Sequence, residues 1–424
     1  MYAEIKESAE NIIDENVSAI IKNIETDGGL WVYNPNSFEY SGYVDYEGKS
    51  YYAENIPSFG WKVIKGECSE NSIIATNNSL ENKYYRIIFD DKAEIVSLYD
   101  KENKREVVKK GEKLNKLIVC NDTPHIEYDA WETASYLEDT TWDVSDVSSV
   151  EILNEGGRCG LSITNVFMDS VIYQKIYLYE NSRRIDVVND IDWQNNNLIL
   201  KAIFPINVNA QKATYEVQFG NVERSTHQNT SWDAAKFEVC VHKWADISDG
   251  GYGMSLLNDC KYGHSADGST LKLTLLKSPT WPYADADLGK HEFTYSLLPH
   301  KGDYRMGETV KESYKLNQLV LVKSVSAQKG TLPSEFSMLH YDKENVIIET
   351  IKKAEVTDDI IVRMYEAHNS QSFVHLETGF EFEKAYLCDM LENNICEVES
   401  DGKCIDVDVE GFEIITIKFS GIKK

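Results

Sequence analysis

Apolar residues recur at steps of three and four over one long stretch near the start of this chain. Ile5, Ala9, Ile12, Ile13, Val17, Ile20, Ile21 and Ile24 form a single stripe, which predicts an amphipathic helix over 3–25. Thr26-Asp27-Gly28-Gly29 follows as its stop, glycine being suited to a left-handed cap. The stripe requires a partner: a sheet, another subunit, or polypeptide outside this chain. From Leu30 the period changes to two. Strands are predicted at 30–34, 43–46 and 61–64, and Tyr84–Phe89 and Glu94–Tyr99 form a hairpin about Asp90–Lys92. Similar runs recur at 150–154, 161–168, 171–179, 184–192, 198–206, 215–219, 236–241, 252–258, 270–276 and 290–299, and after a loop at 325–335 they continue to 412–418. Strands joined by short polar turns, without helices between them, predict a mainly β fold of antiparallel sheets packed as sandwiches. Breaks near 27, 78 and 325–335 divide the chain into 1–26, 27–78, 79–325 and 326–424.

Composition narrows the partners. The 424 residues carry 43 basic and 70 acidic side chains, a net charge of −27, which excludes nucleic acid or an anionic membrane as the main partner. With 42% hydrophobic and 27% charged residues, the chain reads as neither disordered nor membrane-embedded. Residues 1–26 carry Glu and Lys throughout and do not read as a signal peptide. Eight dispersed cysteines without a C-x-x-C pair read as reduced thiols of a cytosolic protein. The 25 tyrosines suit strands, and they would also suit stacking on pyranose rings.

No phosphate-binding glycine loop, nucleophile elbow or H-E-x-x-H occurs. One H-x-D, His340-Tyr341-Asp342, has no second histidine nearby and reads as a surface turn. Two regions are denser in polar and aromatic groups than a plain sandwich needs. Asn121–Glu132 places Asp122, His125, Glu127, Asp129, Trp131 and Glu132 within one short segment. Crowded carboxylates can raise one pKa for acid–base work, and Trp131 can stack on a sugar; an acidic loop capping a sandwich edge has the same composition. Glu223–Asp233 (ERSTHQNTSWD) reads either as a ligand or interdomain surface or as a self-bonded loop.

Four segments carry a resemblance: Asn221–Asp233, Gly250–Gly263 (GGYGMSLLNDCKYG), Leu275–Thr280 (LLKSPT) and Gly289–His300 (GKHEFTYSLLPH). Together with Trp31–Pro35, Tyr84–Asp100, Asp122–Trp131 and Val346–Glu355, they resemble the carboxy-terminal half of glycoside hydrolase family 38 α-mannosidases, nearer the cytosolic and bacterial branch than the secreted one. Ala93, Ser225 and Gln228 depart from the family pattern, standing where a glycine, a proline and an arginine are usual.

The resemblance implies a helix ending a three-helix bundle (1–26), a small β domain (27–78), a large galactose-mutarotase-like sandwich (79–325) and a terminal β domain (326–424). It also implies retaining, zinc-dependent hydrolysis of terminal α-D-mannose from glycans by a cytoplasmic enzyme that can form homo-oligomers. The family's zinc ligands, nucleophile and acid/base belong to an amino-terminal α/β domain that nothing here matches. The expectation is therefore a truncated chain, inactive alone, with no catalytic or metal residue. Its candidates for the substrate rim are Lys277, Ser278, Asp287, Arg224, His227, Trp232, Asp129 and Trp131. Two other readings stay open: an aldose epimerase using His125 with Glu127 or His227 with Glu223, and a glycan-binding sandwich.

Overall fold

Alternation along each strand sorts the side chains before any packing is considered. In Thr270–Lys277 (TLKLTLLK), Leu271, Leu273 and Leu275 are buried on one face while Lys272 and Thr274 point to the other. A computed structural model of the protein describes residues 2–66, 70–123 and 128–423. The chain divides into two units, residues 70–317 and residues 1–69 with 318–424. Strand is the dominant element throughout, and the strand pairs within the sheets are antiparallel.

In the 70–317 unit, nine strands form one sheet in the order Asp146–Glu155, Arg158–Phe167, Ser170–Tyr179, Ile185–Trp193, Gly289–Lys301, Tyr252–Asn258, Trp244–Ser248, Lys212–Val217, Gly220–Ser225. Six form a second: Thr141–Asp143, Lys116–Asn121, Leu198–Pro205, Thr270–Lys277, Gly263–Asp267, Val239–Cys240. Ile172, Val187, Leu256 and Leu297 from the first sheet and Leu200, Phe204, Leu271 and Leu273 from the second share one core. The five short strands of 74–106 contribute Ile87, Ile95 and Leu98 to it. One ion pair is buried in this unit with its hydrogen bonds satisfied. Arg184 Nε donates to Asp186 Oδ1 at 2.7 Å, and Tyr179 and Ser296 hydroxyls donate to the same carboxylate at 2.6 and 2.7 Å. Burial works against the ionised Asp186, yet Arg184 and the hydroxyls hold its pKa below the ordinary value. A helix at Thr309–Asn317, absent from the sequence reading, lays Thr309, Val310, Ser313 and Tyr314 inward.

In the other unit, a four-stranded sheet joins chain segments far apart in sequence: Leu321–Val325, Gly29–Asn34, Gly60–Ile64 and Glu335–Ser337. The strands of 339–420 form a three-stranded and a five-stranded sheet around Leu339, Val362, Val374, Ile405, Ile417 and Phe419. The sequence-predicted turn at His340-Tyr341-Asp342 begins instead as a strand, Leu339–Tyr341, paired with Ser372–Thr378. Asp342 accepts the His375 backbone N–H at 3.0 Å and pairs with Lys343.

The amino-terminal helix runs Tyr2–Ile21, shorter than its hydrophobic stripe. Gln328 ends it: its side-chain amide donates to the Ile21 carbonyl at 2.6 Å and to the Ile24 carbonyl at 3.0 Å. Ile24 and Thr26 then bridge to Leu332 and Gln328. Gly28 and Gly29 therefore serve the entry to the first strand rather than the helix cap. Gly29 has φ 151°, and a Cβ there would lie 2.3 Å from the Ile64 carbonyl oxygen. Only the last turns of the helix find a sheet. Val17, Ile20 and Ile21 pack with Trp31, Trp61 and Val325, whereas Ile5 and Ile12 remain 59% exposed.

Candidate functional site

The six-stranded sheet of the 70–317 unit has one face in the core and one outside it, and the outer face carries unusual chemistry. Strand Leu198–Pro205 (LILKAIFP) turns Leu200, Ala202 and Phe204 inward, so Lys201 stands outward, opposite Thr274 of the neighbouring strand. Its side chain is nonetheless only 3% exposed. An ammonium taken from water requires counter-charges, and Glu238 at 2.6 Å and Glu138 at 3.5 Å supply them. Thr274 also donates to Glu238, at 2.9 Å, and Lys272 pairs directly with Glu138. Burial lowers the affinity of Lys201 for its proton, but the carboxylates outweigh it and raise the pKa. Beside these pairs is a recess of about 130 Å³ lined by Ser135, Glu138, Lys201, Gln228, Phe237 and Lys272, among others. Cys120, in a small apolar cluster next to it, has its thiol pushed up to about 11 by burial and is chemically quiet.

At the other end of strand Thr270–Lys277, the first sequence-flagged region is clamped onto the chain beyond that strand. Lys277 Nζ pairs with Asp122 and donates to the Glu132 carbonyl at 2.9 Å. Asp129 accepts the backbone N–H groups of Thr280 and Trp281 at 2.9 and 2.8 Å and the Thr280 hydroxyl at 3.2 Å. Partial desolvation works against its charge, but these donors hold the carboxyl below its ordinary pKa. For Asp122 the balance tips the other way: burial raises its pKa despite Lys277. Ser278 is fully buried, accepting from Trp193 Nε1 at 3.1 Å and donating to the Asn195 carbonyl at 2.7 Å. What this frame leaves outside is aromatic: Tyr128, Trp131 and Trp281 are 41%, 64% and 44% exposed and touch one another.

The second flagged region is organised separately. Arg224 lies on the edge strand Gly220–Ser225 of the nine-stranded sheet, its Nε buried without a hydrogen-bond partner among the described residues. Thr230 caps a four-residue helix, Ser231–Ala234, accepting the Asp233 N–H at 3.1 Å and donating its hydroxyl to that carboxylate at 2.6 Å. His227 approaches the same carboxylate at 3.8 Å. Trp232 is 79% exposed. Asp287 closes the 278–288 loop, its carbonyl accepting from His291 Nε2 at 2.8 Å.

The structure thus brings Lys277, Ser278, Asp129 and Trp131 together, and His227 and Trp232 onto one short loop. Among the described residues no hydrogen bond, ion pair or ring contact joins the two groups. The proposed pairing of His227 with Glu223 is not made: Glu223 pairs with Lys212 at 2.8 Å. His125 and Glu127 lie outside the described residues. Lys201, Glu138, Glu238 and Lys272 were missed by the sequence reading, although a lone lysine within LILKAIFP is the kind of signal that marks a buried charge pair. Among the described residues there is no group of three or more His, Cys, Asp or Glu placed to hold a metal, so zinc finds no fitting ligand set here and no step is derived through it. The described cysteines, Cys120, Cys159, Cys240, Cys260, Cys388, Cys396 and Cys404, are free thiols. No described helix is long and apolar enough to cross a membrane.

The fold defines a mainly β protein of antiparallel sheets, and sequence comparison makes the assignment specific. Residues 80–285 match the glycosyl hydrolases family 38 C-terminal domain, and residues 345–417 match the glycosyl hydrolases family 38 C-terminal beta sandwich domain. The chain belongs to glycosyl hydrolase family 38, within its carboxy-terminal region. It is 36% identical over 321 residues to Alpha-mannosidase 2C1 of Homo sapiens, a match covering 74% of this chain and 30% of the relative. Alpha-mannosidase G of Dictyostelium discoideum is 34% identical over 357 residues, covering 80% of this chain and 32% of the relative. The chain therefore spans about a third of the length of these relatives. In fold it is similar to an alpha-mannosidase from Enterococcus faecalis, with TM-score 0.80 and 13% identity over 99% of this chain and 60% of that one.

Proposed function

We propose that this chain serves as the carboxy-terminal, non-catalytic β region of a cytoplasmic α-mannosidase that removes terminal α-D-mannose from glycans. Retaining hydrolysis needs two carboxyl groups flanking the scissile bond at a defined separation, together with, in this family's resemblance, a zinc ion. On this reading those groups come from a further catalytic region. The observation that carries it is the fate of the carboxylates at the candidate site. Asp122, Asp129, Glu138 and Glu238 are each committed to a lysine or to backbone N–H groups. The free thiols support a reducing compartment. The bare isoleucines of the amino-terminal helix, Ile5, Ile12 and Ile13, support docking against further helices of the same enzyme.

In this reading the loops around 128–138, 226–238 and 277–288 rim the substrate cleft. Asp287, Arg224, His227, Trp232 and Trp131 are the side chains offered to the glycan. Lys277, Ser278 and Asp129 act by holding the loops that carry them. A photoreactive α-mannoside cross-linked to the purified chain tests this: labelled peptides are expected to fall within these three loops. Labelling confined to the 339–420 strands would overturn the rim assignment.

A further inference from the structure

Large aromatic rings normally leave water on folding, and single exposed ones need no explanation; three in mutual contact do. Tyr128 and Trp131 lie nearly parallel, centroids 5.2 Å apart at 25°. Trp281 stands edge-on to both, 4.1 Å from Tyr128 at 86° and 6.4 Å from Trp131 at 72°. The three rings form a corner in which Trp131, 64% exposed, offers the most open surface.

This corner is held open by polar groups that have no contact with solvent to spare. Asp129 fixes the Thr280 and Trp281 amides, the Ala130 N–H donates to the Trp281 carbonyl at 3.2 Å, and the Trp131 N–H donates to the Tyr128 carbonyl at 3.3 Å. Asp122 and Asp129 are themselves only 5% and 4% exposed. A frame of this kind orders the rings in advance, so a ligand meets them with little further loss of side-chain freedom.

The shape and charge select the occupant. A pyranose presents a face of C–H bonds and an edge of hydroxyls, which suits a corner of aromatic carbon open to water. An anionic ligand meets the exposed Glu132 on a chain of net charge −27, and a second copy brings a further like charge of the same size. A neutral sugar meets neither penalty. We propose that Tyr128, Trp131 and Trp281 form a stacking subsite for one neutral mannose ring. This deepens the rim reading above and rests on it for the identity of the sugar.

The test is a titration of the 424-residue chain with an α-linked mannose trisaccharide, followed by tryptophan fluorescence and by ligand-observed NMR. Saturable binding in the millimolar range is expected, at least about tenfold weaker in Trp131→Ala and unchanged in Phe373→Ala, an exposed ring outside the three loops. Trp131→Phe should retain part of the affinity, and thermal melting should show all three variants folded as the parent. Three results each overturn the proposal: no saturable binding at tens of millimolar, equal loss from Trp131→Ala and Phe373→Ala, or self-association that Trp131→Ala abolishes while sugar has no effect. If the photoreactive mannoside still labels 277–288 while Trp131→Ala binds normally, the subsite fails and the rim reading stands; labelling outside the loops removes the rim reading itself.

Discussion

Asn121–Glu132 and Glu223–Asp233 have much the same composition, acidic and hydroxyl-bearing residues around a histidine and a tryptophan, but the structure uses them in opposite ways. In the first, carboxylates reach across to another segment of chain, from Asp122 to Lys277 and from Asp129 to Thr280 and Trp281. In the second, Thr226 ties its base to Ala210 and Gly268, but the carboxylate at its tip is bonded locally, Asp233 to Thr230, and Trp232 is 79% exposed. The lesson is that a dense polar segment becomes a platform when its charges are spent at a distance. Buried anchors then leave apolar rings facing solvent.

Breaking the shared support beneath both regions should have the largest effect. Glu238→Ala removes the nearest counter-charge of a nearly buried Lys201, and unfolding in denaturant should show a loss of about 3–4 kcal/mol. Replacing Lys201 and Glu238 together by apolar residues should recover much of that loss.

The inner face of the same sheet is expected to respond to pH. His264 is fully buried, its Nε2 has no hydrogen-bond partner among the described residues, and burial pulls its pKa down to about 4. The native state therefore favours the neutral ring more than the unfolded chain does. Its contribution should be intact above the unfolded value near 6.5, decline as pH falls through that value, and level off near 4. The amplitude should be on the order of 3 kcal/mol, and His264→Leu should remove this component of the pH dependence.

The comparison itself is sharpened by the next two. Asp129→Ala should cost about 2 kcal/mol, because two backbone N–H groups lose a charged acceptor. It should also speed amide exchange at Thr280 and Trp281. Thr230→Ala, by contrast, should cost about 1 kcal/mol and leave exchange at Thr280 unchanged, since that cap serves a helix of one turn. Equal responses at Thr280 would erase the distinction between the two regions.

Much of the fold was legible because one-dimensional periodicity reports burial directly: the helix stripe and the alternation of strands such as Thr270–Lys277 both appear in the structure. Pairings between distant segments were not. Gly29–Asn34 lies between Leu321–Val325 and Gly60–Ile64, and nothing in the local pattern of Leu30–Asn34 points three hundred residues ahead. Gly28-Gly29 reads in sequence as the helix stop, but the helix ends at Ile21 and the glycines admit the first strand past the Ile64 carbonyl, a tertiary cause. At the candidate site, composition marked both loops and named Trp131 and Asp129. It could not show that Asp129 would be consumed by backbone N–H groups, nor that Tyr128 and Trp281 would join Trp131.

The central claim is that the crowded carboxylates of this chain hold loops in place and do not cleave bonds. It is tested most directly by incubating the purified chain with an aryl α-mannoside and a zinc salt. The account predicts aryl release at the rate of the protein-free blank; release that scales with chain concentration, persists through repurification and is lost in Asp129→Asn would contradict it.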